Sequence, residues 1–173
     1  GIDKDKKKIQ LLKKGNSYIK HIETKKILKL KKNYFNCSSN FSEVRKSDVI
    51  IVCLPTPIKK NFSPEMKYLK ESAKSLYKNL KKGQALILES TTYPGTTEEI
   101  YEPILKKLKM KIGKNFFLIY SPEREDPGNK KFNISNTTKI VSGKTKNCAN
   151  LAKSIYGGIC NKTHQVSNIR TAE

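Results

Sequence analysis

The stretch Asp48-Val-Ile-Ile-Val-Cys-Leu54 constrains this chain more than any other part of it. Its four central residues are all β-branched and no polar residue interrupts them, the composition of a short strand buried on both faces in a parallel sheet. Pro55-Thr-Pro57 ends the run by removing backbone donors. Two similar runs follow, Ala85-Leu-Ile-Leu88 and residues 116–120. Between them, residues 64–80 carry Met66, Leu69, Ala73, Leu76 and Leu80 at helical spacing with Gly83 beyond the end. A hydroxyl-rich turn over residues 90–97 leads into a further helix that reaches about Lys109. Strands that alternate with helices in this way predict an α/β fold, a doubly wound parallel sheet with ligands at the carboxyl ends of its strands.

The flanks extend the pattern. Gly1-Ile2-Asp3 reads as the end of a strand, followed by a helix with Ile9, Leu11 and Leu12 as its apolar positions and Gly15 as its stop. A loop over 16–22 precedes a helix over 23–32 with Ile27, Leu28 and Leu30 expected to face inward, and residues 34–37 are expected as a strand. After a polar loop over 124–138 come a strand at 139–142, a helix at 147–156 and a strand at 163–166. A chain of 173 residues that opens inside a strand, without an initiator Met, is expected to be a piece of a longer one.

A formal charge of +21 suggests nucleic acid or an anionic membrane as a partner. The cations argue against it, because 33 are Lys and only Arg45, Arg124 and Arg170 are Arg, whereas base and phosphate recognition favours the guanidinium fork. Lysine is also scattered along the chain with 14 Asn and 18 Ile, a compositional drift that predicts no nucleic-acid partner. A lysine-rich nucleic-acid-binding module is the alternative from another class, and it requires affinity that falls steeply with salt. Cys37, Cys53, Cys148 and Cys160 form no C-x-x-C pair, and neither His21 nor His164 stands at ligand spacing from them, so no metal is expected and the cysteines read as small core or helix residues. No apolar run approaches the ~20 residues of a membrane span, and the expected compartment is the cytoplasm.

Four segments carry candidate chemistry. Asp3 closes a strand where one carboxylate suits the two ribose hydroxyls of an adenosine, and it equally suits a cap for the helix that follows. The glycine fingerprint expected about 20 residues before such an acid is not in the chain. Pro55-Thr56-Pro57 is either a rigid connector or a turn that points one hydroxyl into the ligand crevice. Glu89-Ser-Thr-Thr-Tyr-Pro-Gly-Thr-Thr97 carries more hydroxyls than a connector requires. Ser121-Pro-Glu-Arg-Glu-Asp-Pro-Gly-Asn129 places carboxylates and an Arg directly after a strand, as a charged surface loop or as a group that holds water and transfers protons.

Taken together, Gly15-Asn-Ser-Tyr-Ile-Lys-His-Ile22, Val52-Cys-Leu-Pro-Thr-Pro57, residues 89–97, residues 121–129 and Arg170-Thr-Ala-Glu173 resemble the UDP-glucose/GDP-mannose dehydrogenase family. The turn beginning Glu89-Ser-Thr and the loop beginning Ser121-Pro-Glu-Arg resemble its UDP-N-acetylhexosamine 6-dehydrogenase branch, since UDP-glucose enzymes usually show Lys-Ser-Thr and Ser-Pro-Glu-Phe-Leu there. The resemblance implies a Rossmann-like NAD-binding domain over residues 1–169, lacking its first strand and glycine loop, with residues 170–173 opening a central connecting helix from Thr171.

The resemblance further implies NAD-dependent four-electron oxidation of a sugar C6 alcohol to a carboxylate, through a cysteine thiohemiacetal, in a homo-oligomer that supplies surface polysaccharide precursors. A UDP-glucose or GDP-mannose 6-dehydrogenase is the alternative within the family. Carried onto this chain, Asp3 holds the adenosine ribose with Lys8 beside it, and Thr56, Thr91 and Glu125 contact the cofactor. Thr91 and Glu123 are the catalytic candidates, holding a water and assisting proton transfer, and Glu123 and Arg124 face the sugar. The family's catalytic Lys, Asn, Cys and Asp fall beyond residue 173, so none of the four cysteines here is expected to be the nucleophile and the 173-residue piece alone is expected to be inactive.

Overall fold

Strands do alternate with helices in the computed structural model, which describes residues 1–123 and 136–173. The chain forms two compact units, Gly1–Val44 and Arg45–Glu173.

In the first unit, α1 (Lys6–Lys13) starts where the Asp5 carboxylate accepts the backbone N–H groups of Lys7 and Lys8. It ends at Gly15, whose φ of +82° and whose notional Cβ, 2.2 Å from Leu28 Cδ2, both exclude a side chain. Helix α2 (Thr24–Asn33) corrects the expected inward stripe, because Leu28 and Leu30 are 47% and 48% exposed. At ~100° per residue, positions 27, 28 and 30 spread over roughly 160° of the helix and cannot share one narrow buried face. The strand expected at 34–37 is reduced to an isolated parallel bridge between Ile2 and Ser38, with Ser38 N–H donating to Gly1 O and Asp3 N–H to Ser38 O. Asp5 already begins α1, so the pairing segment is too short for a ladder.

A 3₁₀ turn (Phe41–Lys46) leads along the chain to the second unit, which holds β1 (Val49–Val52), α3 (Lys67–Tyr77), β2 (Ala85–Leu88), α4 (Thr96–Lys107), β3 (Phe117–Tyr120), β4 (Lys139–Gly143), α5 (Lys146–Gly157), β5 (Thr163–Gln165) and α6 (Ile169–Ala172). The sheet order is β1-β2-β3-β4-β5. Strands β1, β2 and β3 are parallel, in the register Val49, Ala85, Phe117. Against the all-parallel expectation, β4 runs antiparallel to β3, and β5 is parallel to β4.

That reversal explains how the sheet is covered on two faces. Right-handed crossovers that advance in one direction place their helices on one face when the strands point up and on the other when they point down. Helix α5, the crossover from β4 to β5, accordingly packs on the face of Ala85, Ile87, Ile119 and Val141, to which it adds Cys148, Ala152 and Tyr156. The alternate residues Ile50, Val52, Leu86, Leu88, Leu118 and Tyr120 are also buried, on the opposite face. Helix α3 packs on α4, and α4 on β3.

Strand β1 departs from the expectation of burial on both faces. Val49 and Ile51 share the α5 face by register but are 36% and 46% exposed. Helix α5 rests on β3, β4 and β5 and does not extend over β1. The last helix begins at Ile169, two residues before the expected Thr171, because the Asn168 side chain caps it by accepting Thr171 N–H.

Helix backbone comes very close at Gly143, where a Cβ would fall 2.3 Å from Ala149 N and 2.6 Å from the Cys148 carbonyl carbon. Gly157, at the end of α5, faces open space. The two glycines should therefore respond with opposite sign: Gly143→Ala lowers unfolding stability by about 1–3 kcal/mol through overpacking, and Gly157→Ala raises it by about 0.5–1 kcal/mol. Urea unfolding midpoints at constant m-value check both.

Candidate functional site

In the second unit, the chain segments that leave β1, β2 and β3 at their carboxyl ends border a cavity of about 310 Å³. Thr56, Thr91 and Glu123 line it, together with Cys53, Glu89 and Ser90. Serine and threonine side chains tie the rim to itself. Leu54 N–H donates to Ser90 Oγ at 2.8 Å, and Thr56 Oγ1 donates to the Thr91 carbonyl at 2.7 Å. The Thr56 proton is thus committed to the rim, which leaves its oxygen lone pairs to face a ligand. The Thr91 side chain is exposed at the cavity.

Beneath the rim lies a buried polar cluster that sequence reasoning did not single out. Glu89, the residue after β2, is 8% exposed, and Lys139, the first residue of β4, is 2% exposed. The antiparallel course of β4 is what brings its first residue to the carboxyl ends of the parallel strands. Glu89 Oε1 accepts the Tyr156 hydroxyl at 2.5 Å and lies 3.1 Å from Lys139 Nζ. Glu89 Oε2 accepts the Cys53 thiol at 3.3 Å. Lys139 Nζ is held by charge, without a well-aligned hydrogen bond among the described residues: Glu89 Oε1 at 3.1 Å, Glu123 Oε2 at 3.8 Å, and the Tyr156 ring centroid at 5.2 Å.

Two protons are pinned by this arrangement. The Cys53 thiol is pushed up to about 12, first by burial of its sulfur and then by the charge and hydrogen bond of Glu89, with Lys139 opposing. Burial and the bond to Glu89 also raise the Tyr156 phenol. Cys53 is the one cysteine that departs from the expected core placement. As a residue it is exposed at the cavity while its sulfur turns in against Glu89, whereas Cys37, Cys148 and Cys160 are buried. Signals for Glu89 and Lys139 did exist: a carboxylate directly after the wholly apolar Ala85-Leu-Ile-Leu88 run requires a buried cation. Among 33 lysines, nothing in the sequence marks which one supplies it.

In the first unit, Asp5 takes the helix cap, so Asp3 is free of that role. Asp3 Oδ1 accepts Asp5 N–H at 2.9 Å, and Oδ2 lies 3.7 Å from Lys8 Nζ. This places Asp3 and Lys8 side by side at the end of a paired segment, with a carboxylate oxygen able to accept from a diol. Lys8 Nζ also stands 5.5 Å from the centroid of the Tyr18 ring. Arg124 and Glu125 lie outside the described residues.

The donor sets fit parts of a dinucleotide. A carboxylate beside a lysine suits the adenosine ribose, and a cavity of about 310 Å³ suits a nicotinamide with its sugar. Among the described residues no group of three His, Cys, Asp or Glu could hold a metal ion, and no helix is long and apolar enough to cross a membrane.

Comparison with known proteins identifies the family. Residues 1–160 match the NAD binding domain of the UDP-glucose/GDP-mannose dehydrogenase family. UDP-N-acetyl-D-glucosamine 6-dehydrogenase of Pseudomonas aeruginosa is 41% identical over 136 residues, which cover 78% of this chain and 32% of the relative. UDP-N-acetyl-D-mannosamine dehydrogenase of Pyrococcus horikoshii is 28% identical over 171 residues, 95% of this chain and 40% of the relative. The native structure of the UDP-N-acetyl-mannosamine dehydrogenase Cap5O from Staphylococcus aureus superimposes with a TM-score of 0.89 at 27% identity, covering 100% of this chain and 42% of that one. The chain thus spans about a third to two-fifths of the length of these proteins. With the mostly parallel sheet, the strand-end cavity and a match over residues 1–160, the chain belongs to the UDP-glucose/GDP-mannose dehydrogenase family, as part of its NAD-binding domain.

Proposed function

We propose that the protein encoded by the complete reading frame oxidises the C6 alcohol of a UDP-N-acetylhexosamine to the uronic acid. The observation that carries this reading is the cavity at the strand ends, where Thr56, Thr91 and Glu123 converge above a buried Glu89–Lys139 pair. Bound NAD would supply the hydride acceptor, so that one alcohol, two NAD and one water would give one carboxylate, two NADH and three protons. The chain's own residues bind, orient and handle protons. In the first unit Asp3 accepts the ribose hydroxyls, with the ammonium of Lys8 3.7 Å from its carboxylate. In the second, Thr56 presents acceptor lone pairs to the cofactor, since its proton is bound to Thr91 O.

Glu123 is the group suited to a water or a sugar hydroxyl, because its side chain is 43% exposed at the cavity whereas Glu89 is enclosed. Thr91 directs its hydroxyl to the same water. Arg124 and Glu125, next along the chain, contact the sugar and the cofactor in this reading. In this reading the helix that opens at Ile169 leads toward the remainder of the protein, and the residues before it belong to the cofactor domain. The similarity of the 89–97 and 121–129 segments to the N-acetylhexosamine branch, and relatives named for both N-acetyl epimers, support this substrate class over UDP-glucose and GDP-mannose. The reading follows the family resemblance in taking the complete enzyme as a cytoplasmic homo-oligomer that makes precursors of surface polysaccharide, with no nucleic-acid or membrane partner.

The test is NADH formation by the protein expressed from its complete reading frame and offered UDP-N-acetylglucosamine, UDP-N-acetylmannosamine, UDP-glucose and GDP-mannose in parallel. Two NADH per sugar are expected with one N-acetylhexosamine; turnover confined to UDP-glucose or GDP-mannose would refute the substrate class. Glu123→Gln should lower kcat by about 10²–10⁴-fold with little change in the KM for NAD. Cys53 should stay inert although it borders the cavity. With its thiol near 12, alkylation by iodoacetamide at pH 8 runs on the order of 100-fold or more slower than for an ordinary exposed thiol. Glu89→Gln removes the negative charge and should speed the reaction, as read by mass-spectrometric mapping of the labelled cysteine.

A further inference from the structure

Glu89 and Lys139 are the only charged residues buried among those described, and they meet each other. Balancing one buried charge with another explains the pair but not the position of Lys139. The ladder between β3 and β4 pairs Ile119 with Gly143 and Tyr120 with Ser142. Continued outward by three residues, that register sets Lys139 opposite Glu123, and the two side chains do approach, at 3.8 Å between Nζ and Oε2. The strand pairing therefore aims the ammonium at the carboxylate that borders the cavity.

The three charged groups differ in what they can reach. Both oxygens of Glu89 are engaged, Oε1 by Tyr156 and Lys139 and Oε2 by Cys53, so this carboxylate is a fixed counter-ion rather than a reacting group. The Lys139 side chain is 3% exposed and cannot meet a ligand directly. Of these three, Glu123 is the one with an exposed side chain at the cavity, and it contacts the buried pair. Its main chain is anchored separately, with Glu123 N–H donating to the Glu89 carbonyl at 3.3 Å.

We propose that Lys139 is a positioning residue, a buried ammonium fixed by Glu89 that holds the Glu123 carboxylate in its working orientation; the proposal rests on the dehydrogenase reading above. It acts through Glu123 and touches neither sugar nor cofactor. Loss of the ammonium removes this charge contact from Glu123, and a misplacement of about 1 Å in such a group costs on the order of 10²-fold in rate.

A double-mutant cycle on the protein from the complete reading frame tests this. Lys139→Met should lower kcat by about 10²-fold while the KM values for NAD and sugar stay within about twofold. Lys139→Arg should recover most of the loss. The decisive result is that Lys139→Met costs no further kcat once Glu123 is already Gln, because the two residues act as one unit. Additive losses would overturn the proposal and leave Lys139 as a charge-balancing core residue only. If Lys139→Met fails to fold, Lys139→Gln, which can still donate a hydrogen bond to Glu89 but carries no charge, takes its place in the same cycle, with the same two outcomes.

A second readout does not depend on turnover. In protein labelled with ¹³C-glutamate, the carboxyl resonance of Glu123, assigned by its loss in Glu123→Gln, should shift in Lys139→Met at fixed pH and return in Lys139→Arg. An unmoved resonance contradicts the proposal. Absence of NADH from the unsubstituted protein with every nucleotide sugar would instead refute the dehydrogenase reading, with this spectrum still deciding the role of Lys139.

Discussion

The site depends on one buried ion pair. Glu89 follows a strand without a single exposed residue, so its carboxylate leaves water as the sheet forms, and such a charge is tolerated only with a counter-charge and hydrogen bonds. Lys139 supplies the charge, and the Tyr156 hydroxyl and the Cys53 thiol supply the bonds. Breaking a pair of this kind by removing one partner costs about 3–5 kcal/mol. The pair thereby joins β1, β2, β4 and α5 at the edge where the ligand cavity opens. Of the two carboxylates at the cavity, Glu89 has both oxygens engaged and is enclosed, whereas the Glu123 side chain is the more exposed.

Sheet topology makes that pair possible. Three parallel strands deliver Cys53, Glu89 and Glu123 to one edge. Only a reversed fourth strand can bring its own first residue there, and β4 is reversed. The same reversal sends α5 to the opposite face from the earlier crossovers, and from α5 Tyr156 reaches Glu89. Gly143, at the other end of β4, lets α5 approach closely enough for this. Side chains of the rim, Ser90 and Thr56, then fix the loops after β1 and β2 to each other, so the cavity walls are held by hydrogen bonds rather than by packing.

Local patterning made most of the fold legible. The apolar runs at 49–52, 85–88 and 117–120 appear as β1, β2 and β3, and the helix at 64–80 appears as the shorter α3. Periodicity cannot reveal strand direction, which is why the reversal of β4 was missed. Nor does composition show that the covering helix stops short of β1, which is why Val49 and Ile51 read as buried and are half open. At the site, residues inside recognisable segments were legible, Thr56, Thr91 and Glu123 among them. Lys139 and Tyr156 were not, because their importance comes from a contact between elements 50 and 67 residues away from Glu89 in sequence.

Cofactor and sugar are proposed to meet at the cavity bounded by Thr56, Thr91 and Glu123. A crystal structure of the protein from the complete reading frame, with NAD and a UDP-N-acetylhexosamine bound, tests it most directly. The expected result is the nicotinamide end of NAD against Thr56 and Thr91, with the sugar C6 hydroxyl within hydrogen-bonding reach of a Glu123-held water or of Glu123 itself. Both ligands bound elsewhere, with this cavity holding solvent alone, would contradict it.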